Sequence, residues 1–214
     1  MSLTVDVISD VVCPWCYIGK VKLNTAIELY KKANPDAGEP LVRWHPFQLN
    51  PDLDPAGIDR AEYVSKKFGE RAGSVYDRVK GVGLEIGIEF AFDKIKRQPN
   101  TLKAHSLIAA CEGTDLQEKM VQKLFDAYFI QILDLTDDAV LERLAIEVGL
   151  DAKLARDALF SPQASNRIQQ ADAQARNMGV EGVPFFVFNS KLAVSGAQSP
   201  ETLVDAMQEA LGQP

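Results

Sequence analysis

Alternation opens the chain: Thr4-Val5-Asp6-Val7-Ile8-Ser9 interleaves polar and apolar positions and is rich in β-branched residues, which predicts a short strand. The period then changes. Ile18, Val21, Leu23, Ala26, Ile27 and Tyr30 recur at roughly helical spacing until Asn34-Pro35, where proline ends the helix. Pro40 to Phe47 predicts a second strand, followed by a proline-punctuated loop through Asn50-Pro51-Asp52 and Asp54-Pro55. From about Ala61 to Met178 the pattern is helical, with a glycine break at Gly81, Gly83 and Gly87 and a short extended piece from Ile88 to Phe92. Within that block Val121, Leu124, Phe125, Tyr128, Phe129 and Ile132 share one face, as do Leu141, Leu144, Ala145 and Val148 before Gly149. Ser161-Pro162 opens a further helix, as cap and first helical residue, that ends at Gly179. Strands return at Phe185 to Phe188 and Leu192 to Val194, joined by a turn at Asn189-Ser190. Ser199-Pro200-Glu201 caps a last helix with Leu203, Met207, Ala210 and Leu211 on one face and Gly212 as its stop. The order is strand, helix, strand, a long helical block, strand, strand, helix.

Composition narrows the class. A chain of 214 residues with 46% hydrophobic and 25% charged positions can bury a sizeable core in one large domain or a domain with an insertion. Its formal charge of -7 repels phosphate backbones and anionic lipid, so neither nucleic acid nor a membrane surface is an expected partner. No apolar run approaches the roughly 18 residues of a membrane-spanning helix. The first residues carry no basic leader, and Asp6 and Asp10 break the only apolar run there, which gives the expectation of a cytoplasmic protein.

The chemistry sits in the cysteines. Of the three, Cys13 and Cys16 lie three residues apart at the junction between the first strand and the first helix, with Pro14 suited to the first helical position. Cys13 then faces free backbone N–H groups at the positive end of the helix. Cysteines so placed have pKa values of about 3.5 to 7.5 rather than about 8.5. This makes Cys13 the nucleophile, and Cys16, one turn further on, the thiol that resolves a mixed disulfide. A zinc site needs four ligands, and the remaining Cys111, His45 and His105 have no finger spacing to the pair, so no metal is expected. Cys111, among small apolar residues, reads as a core hydrophobe, and His45 beside Trp44 as structural. Asp10 either influences proton transfer at the dithiol or ends the first strand. Trp15 and Tyr17 present an aromatic rim beside the thiol, unless Tyr17 packs beneath the helix. Gly81 to Gly87 has the wrong spacing for a dinucleotide loop and reads as a flexible connector. Val183-Pro184, from the residues alone, is either an ordinary trans bond entering a strand or a cis turn.

The segment Ser9-Asp10-Val11-Val12-Cys13-Pro14-Trp15-Cys16-Tyr17-Ile18-Gly19 resembles the active site of DsbA-like thioredoxin-fold proteins, particularly the FrnE-like dithiol-disulfide oxidoreductases allied to 2-hydroxychromene-2-carboxylate isomerases. The likeness extends to Trp44–Asp52, Asn100–His105, Gly179–Phe186 and Ser195–Gln198. It implies an α/β fold: a thioredoxin-like core with a mixed central sheet and flanking helices, from residues 1–60 and 179–214, interrupted by a large all-helical insertion over 61–178. It implies a cis bond at Val183-Pro184 facing the reactive cysteine, and a substrate face made of Pro14, Trp15, Val183, Pro184 and His105. The activity implied is thiol-disulfide exchange with protein or small thiol substrates. Glutathione is a candidate redox partner, no cofactor is required, and a homodimer is common among relatives. The competing reading is a glutathione-dependent isomerase or transferase of the 2-hydroxychromene-2-carboxylate or kappa-class type. Those relatives typically carry serine where this chain has Cys13 and lack the paired cysteine, a departure that argues against isomerase chemistry here. A redox-inert interaction domain is a third reading, opposed by the intact dithiol.

Overall fold

In the computed structural model, which describes residues 3–212, the opening alternation forms strand β1 (Thr4–Ser9), and helix α1 (Pro14–Ala33) carries the chain over to β2 (Leu41–Pro46). The ends of the two expected core segments, residues 1–2 and 213–214, lie outside the described residues. β1 and β2 pair in parallel with Val7 opposite Trp44, the arrangement a helical crossover permits. The chain returns at the far end as β5 (Phe185–Phe188), antiparallel to β1 with Val7 opposite Phe186, and β6 (Leu192–Ser195) pairs with β5. The sheet order is β2-β1-β5-β6, a mixed sheet with β1 at its centre.

Period-two alternation sorts the strand side chains. Val5, Val7, Phe186 and Phe188 face one side, where α1 and the last helix α9 (Pro200–Leu211) pack together, and Ile8, Phe185 and Val187 face the other, against Ala175 and Val180. Ser199 caps α9 by accepting the Thr202 N–H, and Gly212 ends it in the left-handed conformation at φ 71°.

Between β2 and β5 lie α2 (Arg60–Phe68), α3 (Ala72–Glu85), α4 (Leu102–Ala110), α5 (Leu116–Phe129), α6 (Asp138–Glu147), α7 (Ala152–Phe160) and α8 (Pro162–Asn177). The apolar faces of α3 to α7 join the sheet's core in one cluster, in which Tyr17 of α1 stacks on Phe125 of α5 with ring centroids 5.0 Å apart. The expectation of an all-helical stretch over 61–178 is corrected in one place: β4 (Arg97–Gln98) pairs with β3 (Ile58–Asp59), which lies just before that stretch, in a short ribbon. Two-residue strands carry no readable period. The expected break at Gly81 and Gly83 is corrected, since α3 runs through both and Gly87 follows its end at φ 82°. Nor is this stretch a flexible connector. Gly83 is buried, and a Cβ there would meet the Phe90 ring at 2.7 Å, so the glycine is a packing contact. The extended piece expected from Ile88 to Phe92 forms no strand. Among the described residues no helix is long and apolar enough to cross a membrane.

Candidate active site

Cys13 caps α1. Its backbone is extended (φ -93°, ψ 110°), its N–H donates to the Asp10 carbonyl at 3.0 Å, and its carbonyl accepts the Cys16 N–H at 3.0 Å. Pro14 opens the first turn, where a missing N–H costs nothing. No acidic side chain falls in that turn, which leaves the positive end of a 20-residue helix open to an anion.

Both cysteines are free thiols, Cys13 with 5% of its surface exposed and Cys16 with 1%. Across from them, the Val183-Pro184 bond is cis, and the Cys13 Sγ lies 3.6 Å from the Val183 carbonyl oxygen, toward which it donates. The Pro184 ring rests on α1 at Gly19: a Cβ at that position would stand 3.0 Å from Pro184 Cγ and 3.2 Å from the Phe186 ring. Burial pushes the Cys16 thiol well above its usual range, and the neighbouring Cys13 pushes it further. The backbone N–H of Asp10 and the side chain of Ser9 act in the opposite direction. Pro14 and Trp15 are half-buried beside the thiols, and the Arg78 guanidinium of α3 stands 5.9 Å from the Trp15 ring.

The remaining expectations divide. His105 does not reach the substrate face. It is buried on α4, where its Nε2 faces the Asp10 Oδ1 at 3.3 Å, and the other Asp10 oxygen accepts the Leu49 N–H at 2.8 Å. The pair sits inside because each group satisfies the other, and a substrate contact by His105 is withdrawn. Tyr17 also turns inward rather than joining a rim: its hydroxyl donates to Asp126 at 2.5 Å. His45 meets Asp6 at 2.7 Å, and Cys111 is buried, its thiol pushed up to about 11 by that burial. Two residues that bound the segment carrying the resemblance, Ser9 and Gly19, have no role of their own in the sequence reading. Gly19 had a readable signal, a glycine inside an amphipathic helix. Ser9 had none, because its proximity to Cys16 depends on how β1 lies under α1.

With this geometry in place, comparison with known proteins gives consistent answers. The family model described as the DSBA-like thioredoxin domain matches residues 4–208. A crystal structure of a probable DsbA oxidoreductase from Streptomyces coelicolor superimposes with a TM-score of 0.87 at 27% identity, covering 99% of this chain and 91% of that one. The Bacillus subtilis protein YwbO is 24% identical over 210 residues, 98% of each chain. The structure of a 2-hydroxychromene-2-carboxylate isomerase covers 97% of this chain and 96% of that one, with a TM-score of 0.70 at 16% identity, and so shares the fold.

Proposed function

The chain belongs to the DSBA-like thioredoxin domain family, and from that premise we propose that it is a thiol-disulfide oxidoreductase working through Cys13 and Cys16. The observation that carries this reading is the Cys13 sulfur at the open N-terminus of α1, 3.6 Å from the Val183 carbonyl, with a second free thiol one turn behind it. The Cys13 thiolate attacks one sulfur of a substrate disulfide, forming a mixed disulfide and releasing the other substrate sulfur as a thiolate. Cys16 then loses its proton and attacks the Cys13 sulfur. The second substrate thiol leaves reduced, and the pair of electrons it gains comes from the Cys13–Cys16 dithiol, now a disulfide. Run backwards with a dithiol substrate, the same steps oxidise it. Two molecules of a small thiol such as glutathione reset the pair to the dithiol state by two exchanges and leave joined as their own disulfide. Val183 and Pro184 supply the face beside the sulfur, where an extended peptide carrying the target cysteine docks through backbone hydrogen bonds.

The buried Cys16 fits the resolving role. Its thiol is held in the protonated form until a mixed disulfide exists, so the pair does not present two competing nucleophiles.

Glutathione-driven reduction of insulin disulfides tests the reading. Cys13→Ser is expected to abolish exchange, and Cys16→Ala to accumulate a mixed disulfide at Cys13 that intact-mass measurement detects. Exchange by Cys13→Ser at the wild-type rate rejects the assignment. Glutathione-dependent isomerisation of a chromene carboxylate without any insulin reduction favours the isomerase reading instead.

A further inference from the structure

Arg78 of α3 stands at the edge of the dithiol site. Its side chain is exposed, and among the described residues no carboxylate lies within ion-pair distance of it. The guanidinium lies 5.9 Å from the ring of Trp15, the residue between Pro14 and Cys16. That separation is a cation–π contact, which holds the charge beside the first turn of α1. Such a contact occupies the face of the guanidinium and leaves its in-plane N–H donors open to a carboxylate, whose planar geometry they match.

The segments around this cation are otherwise neutral. Residues 11–19 contain no Asp, Glu, Lys or Arg. Of the charges that flank them, Asp10 is buried against His105, and Lys20 is buried against Glu118 at 2.6 Å. On α3 the residues one turn to either side of Arg78 are Ser74, Val75, Gly81 and Val82, and the space at Gly81 is open, since a Cβ there would meet nothing within 4 Å. Asp77 precedes Arg78 but projects about 100° away around the helix. The opposite, cis-proline segment from Gly179 to Phe186 has one charge, the exposed Glu181, which disfavours a carboxylate on that side. The whole chain, at a formal charge of -7, also holds anions off. A carboxylate brought to the dithiol therefore finds its partner on the α3 side, at Arg78.

We propose that Arg78 is a specificity-determining residue that selects carboxylate-bearing thiols as reductants of the Cys13–Cys16 disulfide. The inference rests on the dithiol reading above and adds to it the charge of the small thiol. In the first exchange the incoming thiolate bonds to the Cys13 sulfur, the Cys13–Cys16 bond breaks, and Cys16 leaves with the electron pair and takes up a proton. A second thiolate then attacks the small-molecule sulfur of the mixed disulfide, and Cys13 leaves as the thiolate. The entering thiols are oxidised to their own disulfide and the protein pair is reduced. Arg78 holds the carboxylate of the entering molecule and not its sulfur, so it acts through the affinity and placement of the reductant.

The test compares N-acetylcysteine with N-acetylcysteamine, the same thiol without the carboxylate, as reductants of the oxidised full chain. Acid quenching, alkylation and intact mass follow the loss of the Cys13–Cys16 disulfide, and each rate is divided by that thiol's rate with hydroxyethyl disulfide in solution. Wild type is expected to prefer N-acetylcysteine by roughly threefold to tenfold, the worth of a charge pair at the edge of a site. Arg78→Gln is expected to remove the preference, Arg78→Glu to reverse it and Arg78→Lys to keep part of it. An arginine that merely supports Trp15 would shift both thiols together and leave their ratio unmoved. Equal normalised rates in wild type, or a preference that survives in Arg78→Gln and Arg78→Glu, overturn the proposal and leave the dithiol reading standing. No reduction of the disulfide by either thiol overturns both.

Discussion

At the scale of the residue, Gly19 is costly where it stands. A glycine inside a helix is about 1 kcal/mol less favourable than alanine, yet α1 places one a turn beyond Cys16, buried against Pro184. Its lack of a side chain is what lets the proline ring lie on the helix. Gly19→Ala would push a methyl to 3.0 Å from Pro184 Cγ and 3.2 Å from the Phe186 ring, so those neighbours must give by a few tenths of an ångström. The gain in helix propensity offsets much of the overpacking, and thermal stability should change little. The alignment of Val183 with the Cys13 sulfur should not survive as well. Insulin reduction by Gly19→Ala is expected to fall by roughly threefold to tenfold, because reacting groups held slightly out of place lose rate quickly. A stable variant that reduces insulin at the wild-type rate would show that the contact serves packing alone.

At the scale of the element, α3 separates two glycines that look alike in the sequence. Gly81 faces open space, whereas a Cβ on Gly83 would meet the Phe90 ring at 2.7 Å and the Ile88 carbonyl oxygen at 2.8 Å. Gly81→Ala should therefore stabilise the protein, by up to about 1 kcal/mol, through helix propensity and a less flexible unfolded chain. Gly83→Ala should destabilise it by about 1–2 kcal/mol, since overpacking against an aromatic ring and a backbone atom outweighs the same propensity gain. Urea midpoints of the two variants measure both, and equal shifts would contradict the packing. The contrast explains why Gly81 to Gly87 misled as a connector. Glycine signals a break only when backbone conformation demands it, and at Gly83 the demand is for space.

At the scale of the whole molecule, acid stability rests partly on the sheet. Asp6 in β1 accepts Arg43 Nε at 2.7 Å and meets His45 Nε2 at 2.7 Å, both from the adjacent β2. Burial raises the carboxyl, but these hydrogen bonds and charges outweigh it and hold its pKa at about 2, against 3.8 unfolded. A depressed carboxyl stabilises the fold above its unfolded pKa and loses that contribution as pH falls through the folded one. Arg43 and His45 are well exposed, so the contribution is about 1 kcal/mol rather than the full value of the shift. The advantage of wild type over Asp6→Asn is expected to be complete above about pH 4 and to disappear as pH falls toward 2. A difference in denaturation midpoint that stays constant from pH 2 to 5 would exclude this linkage.

Local rules sufficed for much of this protein. Strand alternation, the Pro14 start of α1, the Ser161 and Ser199 caps and the spacing of Cys13 and Cys16 are properties of neighbouring residues, and the pattern of β1-α1-β2, helices, β5-β6-α9 follows from them. The sequence by itself also determined that a dithiol stands at the start of a helix. Only the tertiary structure decided what lies across from it and what lies behind it. The Val183 carbonyl approaches Cys13 from 170 residues away, and Asp10 meets His105 from 95 residues away. The same holds for the ribbon β3–β4 and for Gly19 under Pro184. Each depends on which surfaces the collapsed chain brings together, and the burial that makes a charge or a missing methyl group matter does not exist until that packing forms.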